Sequence, residues 1–182
     1  MRELMIDIET TSTTPGGVIL EIGVVAFDGE AELITKQWTL NYEESLSRGF
    51  KDDPDTLKWW NEQMEGEGLP SEFTSFTDRI SNKKVLEEFV LFCFRHRNGY
   101  TWDNFTAFWS RGHFDFPMLE AYLEEYGLSV PWRHWERMEL RTALRELGFP
   151  KKDKSTIAHR ALDDARAQTR DLIGARKLNK LR

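Results

Sequence analysis

The sequence predicts an α/β chain: a central mixed sheet that opens with an antiparallel three-strand meander and is flanked by helices. Two observations carry this reading. Three short runs rich in Val, Ile and Leu come first, separated by turn residues, and the apolar pattern then changes to helical spacing. A third observation, one β-like run at 106–110 set among helical stretches, makes the sheet mixed rather than a simple meander.

The first strand covers 3–9, where Leu4, Met5, Ile6 and Ile8 supply the apolar residues. The second covers 18–27 and the third 34–40. Thr13-Thr14-Pro15-Gly16-Gly17 turns the chain between the first two, and Asp28-Gly29 is a hairpin signal between the second and third. Asp53 caps a helix that has Pro54 at its first position and runs to about Gln63. Ser81 or Asn82 caps the next, in which Val85, Leu86, Phe89, Val90 and Phe94 recur at helical spacing. After the strand at 106–110, helices are expected at 116–126, stopped by Gly127, and at 138–147, ending at Gly148 with Pro150 beyond. A polar loop at 151–156 precedes a last helix from 161 towards 178, and the basic tail at 176–182 is expected to fray. No repeat, low-complexity tract or linker divides the chain, so one domain over 1–182 is expected.

Composition narrows the function classes. A length of 182 residues suits one core, and the 40% hydrophobic share includes many aromatics. A net charge of −6 excludes a polyanion binder that works through an overall positive field, although local basic patches remain compatible with it. Cys93 is the only cysteine, which rules out an internal disulfide and a thiol-only zinc site; its apolar surroundings mark it as core packing. No apolar run approaches the ~18 residues of a membrane span and no signal-peptide core is present, so a cytoplasmic protein is expected.

Four acidic residues, at three places in the chain, carry the chemistry. Asp7 and Glu9 lie two apart on an apolar strand, so alternation puts both carboxylates on one face. Side by side and desolvated they repel each other, and a hard divalent cation such as Mg²⁺ or Mn²⁺ removes that penalty. Asp115 follows the strand at 106–110 and opens a helix, a junction that commonly places functional groups at a sheet edge. Asp164 sits on the last helix, with His159 just before it and Asp163 on the solvent side. Histidine exchanges a proton near neutral pH, which suits a general base. Taken singly, each signal has an ordinary reading: a wet strand face, a helix cap, an exposed loop histidine.

Together, Asp-x-Glu on the first strand, Phe114-Asp115 opening a middle helix and His159-Arg160-Ala161-Leu162-Asp163-Asp164-Ala165 opening the last resemble the DEDDh 3′→5′ exonuclease family. Ile6-Asp7-Ile8-Glu9-Thr10-Thr11 and Ile19-Leu20-Glu21-Ile22-Gly23-Val24-Val25 are similar to that family's first two strands. Asp55-Thr56-Leu57-Lys58-Trp59-Trp60 and Trp109-Ser110-Arg111-Gly112 look like the branch of small bacterial and phage exonucleases that includes a mycobacterial exoribonuclease. The likeness runs from about residue 5 to residue 172.

The resemblance implies a ribonuclease H-like fold and removal of nucleoside 5′-monophosphates from the 3′ end of single-stranded or 3′-overhanging RNA or DNA. It implies that Asp7, Glu9, Asp115 and Asp164 hold two divalent ions, Mg²⁺ or Mn²⁺, with His159 as general base. It further implies Glu9 and Thr10 beside the terminal sugar, and a homodimer. One of Trp59 and Trp60 is available to stack on a base, with Trp59 taken as the candidate, and Arg111 and Arg166 are candidates for phosphate contact. Trp38, Trp102, Trp132 and Trp135 are expected mostly in the core, and His96, His113 and His134 form no spaced ligand set. The rival readings are a catalytically silent nucleic-acid-binding or interaction module on the same fold, and a small-molecule phosphatase. The latter needs a phosphate loop for which Thr13-Thr14-Pro15-Gly16-Gly17 is a poor candidate.

Overall fold

A computed structural model describes residues 2–66, 68–74, 80–99, 104–149 and 159–181. The loop expected at 151–156, Pro150 and Trp102 lie outside these residues. The opening meander forms as the sequence implies, from β1 (Glu3–Thr10), β2 (Ile19–Phe27) and β3 (Glu32–Thr39), paired antiparallel. Asp28 makes the β2–β3 turn by accepting from the backbone N–H groups of Glu30 and Ala31 through Oδ1, at 2.9 and 3.0 Å.

Helices α1 (Tyr42–Ser47), α2 (Pro54–Gln63), α3 (Ser71–Thr74) and α4 (Asn82–Arg95) follow, then β4 (Ala107–Ser110) and α5 (Asp115–Glu125). Asp53 Oδ1 caps α2 by accepting from Asp55 N and Thr56 N, with Pro54 at the first position as expected. The short helices α1 and α3 were not expected. Cys93 faces the core of α4, whereas Phe94 is 38% exposed, so the apolar stripe runs through 85, 86, 89 and 93.

One expectation needs correction. Residues 137–139 form a fifth strand, β5 (Arg137–Glu139), and α6 (Leu140–Glu146) starts only after it, capped by Glu139. Met138 therefore belongs to the sheet. Three residues show no periodicity of their own, and pairing with β4 decides their state. The sheet order is β3-β2-β1-β4-β5, with β4 parallel to both β1 and β5, so the sheet is mixed.

The last helix, α7 (Ala161–Lys180), also outruns its expected end. The tail does not fray at 176, because Arg176 grips the buried carboxylate of Glu3 at 2.6 and 2.9 Å. Glu3, Met5, Asp7 and Glu9 alternate onto the β1 face that α7 covers, while Leu4, Ile6 and Ile8 enter the larger core beneath α4 and α5. Arg176 meets Glu3 and Gln168 meets Asp7. Eight helical residues rise ~12 Å and four strand residues ~13 Å, so strand and helix stay matched along this stretch. No described helix is long and apolar enough to cross a membrane.

Candidate active site

The carboxyl ends of the parallel strands β1 and β4 meet the N-terminus of α7, and this is where the acidic residues converge. Asp7 pairs across the sheet with Gly23 on β2. A Cβ at Gly23 would lie 2.3 Å from the carbonyl carbon of Ala161, so the missing side chain is what lets α7 come down onto the sheet. Glu21, fully buried on β2, clamps the same helix end. It accepts from Arg160 at 2.8 and 3.3 Å and from the Ala161 N–H at 2.9 Å. His159 and Asp164, on either side of this clamp, are thereby set beside Glu9. One ligand atom from each of Glu9, His159 and Asp164 lies within 4.8 Å of the others.

Asp115 is the first residue of α5 and is 2% exposed. Its Oδ2 is buried with no hydrogen-bond partner among the described residues. A buried, unpartnered carboxylate oxygen is costly unless something outside the chain satisfies it. Asp7 accepts from Gln168 Nε2 at 2.6 Å.

The charges oppose one another as their crowding requires. Burial pushes the Asp7 carboxyl well up, and Asp115, Glu9 and Asp164 push it further; the Gln168 amide opposes them. Burial, then Asp164, Glu21 and Asp115, raise Glu9 to about 8. Burial raises Asp115 to about 6 against backbone N–H groups, Arg141 and Ser110. Asp164 is raised by burial and held down in part by His159 and Arg111. Carboxyls that suppress one another's ionisation could be relieved by a hard cation, and this oxygen-rich donor set with one imidazole is chemically compatible with a divalent ion.

The expected substrate residues surround this cup. Glu9, Thr10, Asp53, Trp59 and Phe114 line a cleft of about 530 Å³ between the end of β1 and α2. Trp60 is buried and donates from Nε1 to the Thr10 carbonyl at 2.8 Å, fixing the strand end, whereas Trp59 is 37% exposed. The Trp59 ring meets His159 edge-on at 4.5 Å, so this histidine is packed rather than loosely held. Arg111 is exposed near Asp164, and Asp163 faces solvent. Arg166 is drawn away to β3, where it pairs with Glu32 at 3.5 Å and Thr35 Oγ1 at 3.3 Å. Trp38 and Trp132 are core residues.

Sequence reasoning missed Gln168, Glu21 and Gly23. Gln168 had a signal, since it lies one helical turn beyond Asp164 and so shares its face.

A family model described as the 3′-5′ exoribonuclease Rv2179c-like domain matches residues 2–172. Among solved structures, the fold is similar to the nuclease domain of 3′hExo, a DEDDh family member solved bound to rAMP. That likeness has a TM-score of 0.57 at 14% sequence identity and covers 98% of this chain and 92% of the other. A comparison with curated proteins returns no match.

Proposed function

Since the chain belongs to the Rv2179c-like 3′-5′ exoribonuclease domain family, we propose that Asp7, Glu9, Asp115 and Asp164 hold two divalent cations, Mg²⁺ or Mn²⁺, and that His159 is the general base. The chain is a 3′→5′ exonuclease with a nucleic acid substrate. In this reading it shortens single-stranded or 3′-overhanging strands, RNA foremost, and releases nucleoside 5′-monophosphates one at a time. The observation that carries it is the convergence of four carboxylates, one with an unpartnered buried oxygen, with His159 beside two of them, Glu9 and Asp164.

Cations held by Asp7, Glu9, Asp115 and Asp164 would supply Lewis-acid polarisation of the scissile phosphate and counter-charge for the entering and departing oxygens. His159 takes a proton from the attacking water, and its packing against Trp59 holds the imidazole in place for this. Glu9 and Thr10 contact the terminal sugar, Trp59 offers its exposed ring to the terminal base, and Arg111 binds a phosphate oxygen. Base stacking of this kind contributes about 1–3 kcal/mol. A homodimer is part of the reading and is checked by sedimentation.

The deciding experiment incubates 5′-labelled oligoribonucleotides and matched oligodeoxyribonucleotides, single-stranded and overhanging, with Mg²⁺ or Mn²⁺. A ladder shortening from the 3′ end, with nucleoside 5′-monophosphate as product, is expected. Internal fragments, or inorganic phosphate instead of nucleotides, would overturn the reading.

A further inference from the structure

A second groove, of about 400 Å³, opens on the β4–β5 side of the acidic cup; its walls include Gly112, His113, Pro117, His134, Arg137 and Glu139. Parallel pairing of Ser110 with Glu139 puts the carboxyl ends of β4 and β5 side by side. The residues that follow, Arg111 to His113 after β4 and Arg141 in the first turn of α6, therefore emerge together. Arg111, His113, His134, Arg137 and Arg141 are all exposed. Two acids also stand at the groove, and both keep their charge while spending their oxygens within the chain. Glu139 caps α6 through the N–H groups of Arg141 and Thr142, and Glu120 binds Trp132 Nε1 and Arg137.

The groove adjoins the cup, since Phe116 follows Asp115 in the chain, a Cβ on Gly112 would lie 4.0 Å from Asp115 Oδ2, and the charges of Arg111 and Arg141 act on Asp164 and Asp115. The other mouth of the cup has the opposite character. There the cleft is lined by Asp53, Asp55 and the Trp59 ring, which suit a nucleoside and repel a run of phosphates.

We propose that the groove between the start of α5 and β5 carries the sugar–phosphate backbone of the substrate strand on the 5′ side of the scissile phosphate. The strand thus enters by the mouth where Arg111, Arg137 and Arg141 gather and ends in the Trp59 cleft, which gives a net-acidic chain a local, directional hold on a polyanion. This rests on the exonuclease reading and adds to it the path of the strand.

The test is a length series. Full-length wild type and a His134→Gln/Arg137→Gln double variant, both residues lining the groove, are assayed on oligoribonucleotides of two and eight nucleotides at two salt concentrations. For the octamer, KM is expected to rise about fivefold or more in the double variant, with the slope of log KM against log salt falling by ~0.7 for each lost phosphate contact. The dinucleotide, whose only internucleotide phosphate is the scissile one, should change less than about twofold. A Lys83→Gln/Lys84→Gln variant on α4 should alter neither. Equal losses at both lengths, or no loss at either, would overturn the proposal. Should wild type hydrolyse neither strand, the exonuclease reading fails separately, and the anisotropy of a 5′-labelled octamer still reads the groove: affinity unchanged in the double variant overturns the path.

Discussion

Gln168 donates from Nε2 to Asp7 Oδ1 at 2.6 Å, and its own Oε1 is buried without a partner among the described residues. The amide engages one oxygen of Asp7 and, in the proposed metal site, leaves the other for a cation. Partners of this kind typically contribute 10- to 100-fold to metal affinity. Gln168→Leu should therefore weaken Mn²⁺ binding by about tenfold or more in calorimetry, with kcat largely restored at saturating metal. Unchanged affinity would reduce Gln168 to packing.

The pH dependence has a definite sign. Glu9 is raised to about 8 and Asp115 to about 6, so the metal-free native state holds protons that the unfolded chain releases near pH ~4–4.5. The contribution of these two carboxyls to the stability of the metal-free protein is then full below that range and is lost as pH rises through about 8. Melting curves in chelator from pH 5 to 9 should show this decline. Saturating Mg²⁺ should flatten or reverse it, because cations favour the ionised carboxylates. A metal-free melting temperature that climbs over this range would contradict the crowding of the acids.

Asp164→Ala and His159→Ala should both lose most turnover, yet differ in kind. The aspartate change should weaken metal binding, while the histidine change should leave it intact and lower kcat by about 10²–10⁴-fold, the usual range for a proton-transfer group. Since His159 stands within 4.8 Å of ligand atoms on Glu9 and Asp164, the alternative is concrete. Equal weakening of metal binding in both variants would make the imidazole a ligand.

Gly23→Ala tests how the site is assembled. The added carbon would meet Ala161 backbone at 2.3 Å, and neither strand nor helix yields easily. Overpacking of this kind costs about 1–3 kcal/mol, so the melting temperature should fall by several degrees. Turnover should fall further than stability explains, because His159 immediately precedes α7 and Asp164 lies in its first turn. Full activity in a destabilised variant would show that the helix end tolerates displacement.

Local periodicity made the meander, the α2 cap and the shared face of Asp7 and Glu9 readable, because each depends on residues a few positions apart. The likeness of spaced motifs made Asp115, His159 and Asp164 recognisable as candidates. Strand β5 was not readable: three residues become a strand only by pairing with β4. Nor could spacing reveal that His113 and Arg137 would share a groove.

By itself, then, the sequence determined which residue types stand on which face of each element. Only the tertiary structure decided which faces meet, through the Gly23 contact, the Glu21–Arg160 clamp and the grip of Arg176 on Glu3. The physical reason is that periodicity repeats within an element, whereas the offset between a helix and a strand is set by close packing of surfaces more than a hundred residues apart in the chain. Glu21 and Arg160, 139 positions apart, are the example on which this site turns.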